Sequence, residues 1–190
     1  VFINPKEETL SLYQERADKQ HAIELRYQKE LLEKCETRDG HTIELMVNIE
    51  GTDEIDAYET SNSDGIGLFR TEGLFLRHNG VPSEEAQYNE YASVVDNAGG
   101  KSVIIRTLDI GGDKLVDGIN EESFLGLRAI RYCLENLSVF KTQLRAILRA
   151  SAHGEVQIMY PMISGVEELD KANQVLNEVK SELTLSLIHI

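Results

Sequence analysis

Few cysteines, no long hydrophobic run and a shortage of cations set the first limits on this chain. Cys35 and Cys133 stand far apart, with no CxxC spacing and no histidine partner nearby. A reduced, cytosolic (cytoplasmic) protein without a zinc site is therefore expected. Nowhere do about 18 apolar residues follow one another, so no membrane span is expected. No charged–apolar–small segment of the signal type opens the chain. Lysine and arginine number 19 against 33 acids, a formal net charge of −14. That balance argues against broad binding to nucleic acid or to an anionic membrane, both of which need clustered cations. It leaves room for a small anionic ligand held by a few local cations, and the acidity itself reads as solubility. The five histidines show no metal spacing, and no Ser/His/Asp or Cys/His arrangement is recognisable. An initiator methionine is missing as well, and "VFIN" reads as a strand entered midway, so a piece of a longer protein is expected.

What is present is an ordinary globular composition, 41% hydrophobic over 190 residues, enough for one sizeable core. Asn4 as N-cap, Pro5 and the following acids predict a long charged helix from residue 5 to about 37. Its apolar residues (Leu10, Tyr13, Ala17, Leu25, Leu31, Leu32) make a broken stripe, suited to a connector more than to a core helix. Strands are expected at 42–49, 65–71, 102–110 and 155–163. Helices are expected up to about 62, from about Ser83, over 124–135 and 138–152, and from a capping-box pattern at Ser164–Glu167 to about 183. Alternating strands and helices predict an α/β fold with a parallel sheet whose strands are buried on both faces. The expected division is residues 1–38, 39–184 and a tail, 185–190.

Two strands end alike, in Arg70-Thr71 and Arg106-Thr107. Parallel α/β sheets bind ligands beyond the carboxyl ends of their strands, so both arginines should project toward one mouth. An arginine there is costly to desolvate unless paired. Structural ion pairs, for instance with Glu72 or Asp109, are one reading. Bidentate recognition of a carboxylate or phosphate is the other, and the two can hold together. Behind Arg106 the loop "DIGGDK" is neither a P-loop nor GxGxxG. Gly111 and Gly112 permit close backbone approach and Lys114 offers a point charge, although an ordinary glycine turn fits equally well. Arg128 and Arg131 read as a solvated or salt-bridged helix face, Arg145 and Arg149 as packing or surface, and His153 as a structural helix end.

In order along the chain, "DGIGLFRTE", "PSEEAQYNEY", "VIIRTLDIGGDK", "FLGLRAIR", "QLRAILRAS" and "IMYPMIS" resemble Enzyme I of the bacterial sugar phosphotransferase system, the phosphoenolpyruvate–protein phosphotransferase family. "NPKEETLSLY" is similar to the start of its interdomain linker helix, and the resemblance runs to about residue 182. It implies the first half of a C-terminal (β/α)8 TIM-type barrel that binds phosphoenolpyruvate and Mg²⁺ and forms a homodimer. The phosphoryl group would pass to a histidine in a separate N-terminal domain and then to the phosphocarrier HPr. By motif match, Arg70 and Arg106 would grip the phosphate, with Glu72, Asp109 and Lys114 supporting them. The metal-binding acids, an asparagine, a third arginine and the catalytic cysteine belong to later strands, so no catalytic or metal residue is expected here. Alone, the chain is expected to be inactive and poorly stable. Departures from the pattern are Gly73 after "RTE", a short segment between Lys114 and Phe124, and Glu122-Ser123 before "FLG". "LSLIHI" (185–190) leaves the pattern abruptly and reads as a non-native tail. A non-catalytic dimerisation or regulatory remnant, or a piece of pyruvate phosphate dikinase or phosphoenolpyruvate synthase, are the alternatives.

Overall fold

The computed structural model describes residues 3–30, 33–78, 80–110 and 126–188. The chain divides into two compact units, residues 1–44 and 45–190.

In the first unit, α1 spans Glu7–Glu30. It starts later than the sequence suggests. Asn4 takes a left-handed φ of 51° instead of the extended backbone of an N-cap, and Lys6 O accepts the first helical N–H bonds. Glu7 and Glu8 then occupy the first turn, where the helix dipole favours acids. Leu10, Tyr13 and Leu25 are exposed, while Leu31 and Leu32 lie outside the described residues. The helix stops short of 37 because residues 35–43 fold into their own turn. Thr37 N–H donates to His41 O and Ile43 N–H to Cys35 O, with Gly40 at φ 85° supplying the left-handed corner. That turn also takes Thr42 and Ile43 out of the expected strand at 42–49.

The second unit is built as β1 (Met46–Ile49), a 3-10 turn (Thr52–Glu54), α2 (Ile55–Thr60), β2 (Gly65–Arg70), α3 (Glu72–Arg77), α4 (Glu84–Asn97) and β3 (Ser102–Arg106). α5 (Ile130–Glu135), α6 (Leu137–Ala150), β4 (Val156–Met159) and α7 (Val166–Ile188) complete it. All pairings are parallel and the order is β1-β2-β3-β4, with no reversal. A doubly wound sheet would change direction at a switch point; this one adds each strand beside the last, as a (β/α)8 barrel does. The buried strand residues Ile66, Phe69, Val103 and Ile105 form one cluster with Ile55, Tyr58, Tyr91, Val94, Val95, Ala146 and Ile147 from α2, α4 and α6. The opposite face, carrying Leu68 and Ile104, is only half-buried. The expectation of strands buried on both faces is therefore corrected: the described helices cover one side, leaving the alternating burial of β3. A second cluster packs Phe75, Leu108, Ile130, Phe140 and Leu144 against Ala172, Val175 and Val179 of α7. Strand spacing at the base depends on Gly65, where a Cβ would stand 2.6 Å from Ser102 O.

β3, α5 and β4 also depart from their expected bounds, each for a local reason. β3 stops at Arg106 because the chain beyond it bonds to side chains: Leu108 N–H to Gln143 and Asp109 N–H to Glu72. α5 begins only at Ile130 because Ala129 adopts φ 54° and ψ −130°, and β4 ends before buried Pro161 and half-buried Met162, the latter at φ 60°. The helix α3 is not among the expected elements; a Cβ at Gly73 in its first turn would lie 3.1 Å from Glu50 O. Ser83 caps α4 as expected, accepting from Ala86 N–H at 3.2 Å. At α7 the capping acid is Glu168, not Glu167: its carboxylate accepts from Ser164 N–H at 2.7 Å and from Ser164 Oγ at 3.0 Å. The helix continues through residues 185–188 of the expected tail.

Candidate functional site

The ends of β2 and β3 lie side by side because Arg70 and Arg106 are register partners in the parallel ladder. Neighbouring strands are about 4.8 Å apart, so two permanent positive charges are held close and need counter-charge. It comes from three acids. Glu50, the residue after β1, meets Arg70 Nη1 at 2.5 Å. Glu72, opening α3, meets Arg106 Nη2 at 3.1 Å, and Asp109 meets Arg106 Nη1 at 3.1 Å. Asp109 also reaches Arg128 Nη2 at 3.0 Å through its other oxygen, and its own N–H donates to Glu72 Oε1 at 3.0 Å. Thr71 Oγ1 donates to Arg106 O at 3.0 Å, fastening the end of β2 to the end of β3.

The expected pairings hold for Arg106, which binds Glu72 and Asp109 at once. They do not hold for Arg70, whose partner is Glu50. Arg128 is not on a helix; it lies just before α5 and belongs to the cluster. Gly111, Gly112, Lys114 and the Glu122–Phe124 segment lie outside the described residues. Arg106 is the most enclosed guanidinium, its side chain 19% exposed against 31% for Arg128 and 41% for Arg70. The Nε–H of all three arginines is buried and, among the described residues, has no hydrogen-bond partner. Guanidinium donors converging beyond parallel strand ends suit a multiply charged oxyanion.

Among the described residues, neither Cys133 nor Tyr160 is poised as a nucleophile. The Cys133 thiol, whose Sγ lies 4.0 Å from Leu108 O, is pushed up to about 12 by burial, with the Asp109 charge adding to the effect. The Tyr160 phenol beyond β4 is likewise pushed up to about 12 by burial. Among the described residues no three of His, Cys, Asp and Glu converge as a metal set, and Glu72 and Asp109 are both engaged by Arg106.

Arg131, Arg145, Arg149 and His153 act as structural clasps. Arg131 bonds Glu168 at 3.0 Å; Arg149 joins Glu84 and Glu85 and lies 4.0 Å over the Tyr88 ring; Arg145 reaches Glu182 at 2.5 Å. His153 bridges Asp96 at 2.9 Å and the Tyr88 hydroxyl at 3.0 Å, fixing the turn after α6.

Glu50 was missed, although an acid one residue past β1 carries the same strand-end signal as the arginines. Arg128 had no such signal, since its partner Asp109 lies 19 residues away.

A sequence profile described as "PEP-utilising enzyme, PEP-binding domain" matches residues 24–189. The protein named Phosphoenolpyruvate-protein phosphotransferase from Priestia megaterium is 40% identical over 187 residues, covering 96% of this chain and 33% of its own length. Its namesake from Mycoplasma pneumoniae is 44% identical over 173 residues, 87% of this chain and 30% of its own. Multiphosphoryl transfer protein 2 of Escherichia coli is 41% identical over 187 residues, 96% of this chain and 22% of its own. The chain thus spans about a third, or less, of the length of these curated relatives.

Proposed function

The chain belongs to the family of PEP-utilising enzymes through its PEP-binding domain, and from that premise we propose that Arg70 and Arg106 at the strand ends, with Arg128 just before α5, hold the phosphate of phosphoenolpyruvate. The observation that carries this reading is the side-by-side placement of Arg70 and Arg106 at the ends of β2 and β3, with Arg128 joined to Arg106 through Asp109. In it, Arg70 and Arg106 contact phosphate oxygens, Arg128 adds a third guanidinium, and Glu72 and Asp109 hold Arg106 in orientation. Lys114 is assigned a supporting charge.

The reaction proposed for the whole protein moves the phosphoryl group from phosphoenolpyruvate to an enzyme histidine and then to the phosphocarrier HPr, in the cytoplasm, for sugar uptake. The arginines of this chain would neutralise charge on the transferring oxygens, the electrostatic contribution on which phosphoryl transfer chiefly depends. Fixed guanidiniums do this without changing protonation state at any working pH. The acceptor histidine is assigned to another domain of a homodimeric protein. Mg²⁺ is assigned to the reaction as well, but the described residues do not fit a site for it, because Glu72 and Asp109 already neutralise Arg106.

Calorimetric titration of the chain with phosphoenolpyruvate tests the reading. R70M and R106M should each weaken binding by about tenfold or more, the usual consequence of truncating a buried charge-assisted contact. R106K should weaken it as well, since an ammonium cannot reproduce the fork. No binding by the wild-type chain, or equal binding by the arginine variants, would refute it.

A further inference from the structure

The buried stripe of α6 runs through Phe140, Leu144, Ala146, Ile147 and Ala150, and one polar residue, Gln143, sits inside it with no solvent exposure. A buried amide without partners is strongly unfavourable, and this one is fully engaged. Its Oε1 accepts the Leu108 N–H at 2.9 Å, and its Nε2 donates to Thr71 Oγ1 and to the Tyr91 hydroxyl, each at 3.2 Å. The direction of these bonds is fixed by their neighbours. Thr71 gives its hydroxyl proton to Arg106 O at 3.0 Å, and Tyr91 gives its own to Gln87 Oε1 at 3.1 Å. Both hydroxyl oxygens are therefore left as acceptors, and the group facing them must bring two protons while also accepting one. A side-chain amide does this; a carboxylate or a hydroxyl does not.

The location of these partners gives the network its meaning. Thr71 follows Arg70 directly, and its hydroxyl holds the carbonyl of Arg106. Leu108 lies just beyond β3, where its buried N–H has left the strand ladder, and it precedes Asp109, the carboxylate shared by Arg106 and Arg128. One amide thus ties the backbone behind Arg70 to the backbone on both sides of the Arg106–Asp109 pair. We propose that Gln143 is a positioning residue of the phosphate site, fixing the relative placement of Arg70, Arg106 and Asp109 from the helix side of the sheet. The inference rests on the phosphate-binding reading above. It adds that the geometry of the clamp is set by a residue that never touches the ligand.

The test titrates phosphoenolpyruvate into the 190-residue chain and into its Q143M, T71V and Y91F variants, with affinity from calorimetry and the arginine Nε–H signals from NMR. Q143M removes all three bonds at similar side-chain length, and T71V removes one hydroxyl. Y91F cuts the network only at the end remote from the arginines. Q143M and T71V should weaken affinity by about tenfold or more, as small misplacements of binding groups do, and should shift the arginine signals of the ligand-free chain. Y91F should lower the melting temperature and leave affinity unchanged. If Q143M does not fold, T71V carries the same expectation.

Variants Q143M or T71V that fold and bind as the wild type does would overturn the proposal. So would a Y91F variant that weakens binding as much as T71V for the same loss of melting temperature, because the effect would then be general loosening. A wild-type chain that binds no phosphoenolpyruvate would instead overturn the function proposed above. Positioning would still stand or fall on whether Q143M and T71V move the arginine signals.

Discussion

Replacing Asp109 by asparagine removes one negative charge from between two guanidiniums while keeping the side chain's shape. The carboxylate stands 3.1 Å from Arg106 Nη1 and 3.0 Å from Arg128 Nη2, with its side chain 13% exposed. At an effective dielectric constant of about 20, each contact is worth roughly 5 kcal/mol of gross attraction. Desolvation of the ions cancels much of that, and breaking a buried pair typically costs about 3–5 kcal/mol. Asparagine recovers about 1 kcal/mol through its remaining oxygen, and its NH2 must face a guanidinium that is itself only a donor. The net expectation is a destabilisation of about 2–4 kcal/mol. For a chain of this size that lowers the melting temperature by on the order of 10 °C. Thermal unfolding followed by circular dichroism measures it. The same substitution in an R128M background should cost less, since one of the two stranded charges is gone and the residues are coupled. A D109N variant melting with the wild type, or an equal loss with and without Arg128, would refute the reasoning.

Acid should weaken the contacts between α6, α7 and the turn before α7. Ser164 N–H and then Arg131 lower the Glu168 pKa, Lys141 and then Gln174 lower that of Glu178, and Arg145 and then Lys141 lower that of Glu182. Groups depressed in the folded state stabilise it above their unfolded values and lose that contribution as pH falls through the folded ones. Urea midpoints should therefore fall from about pH 5 downward, and less steeply in K141M; a K141M profile parallel to the wild type would count against this. Thiol labelling followed by mass spectrometry should modify half-buried Cys35 in the native chain and Cys133 only in denaturant, because Cys133 is buried and its thiol is held protonated, up to about 12. Equal labelling rates for the two would contradict the described packing.

The alternation of strands and helices was legible because apolar β-branched runs such as "SVIIR" and capped starts such as Ser83 carry their signals locally. The arginine pair was legible for a related reason: the same dipeptide ended two strands, and parallel sheets present such ends together. Strand lengths were less legible. Beyond Arg106 the sequence still alternates apolar Leu108 and Ile110, and beyond Met159 it stays largely apolar, but the backbone turns to side-chain partners or to left-handed geometry at Met162. Gln143 shows the limit most clearly. On a helical wheel it is a polar interruption, and its role appears only with partners 35, 52 and 72 residues distant.

The ring of charge at the strand ends has a consequence for what can enter it. Among the described residues, Arg70, Arg106 and Arg128 are balanced one for one by Glu50, Glu72 and Asp109, so this set is electrically neutral. A dianion arriving there leaves an excess of two negative charges, which the withdrawal of one carboxylate halves. Entry is then an exchange of one oxyanion for another. Glu50, its side chain 54% exposed and bound to the most open guanidinium, is the carboxylate with the least to lose by stepping back into water.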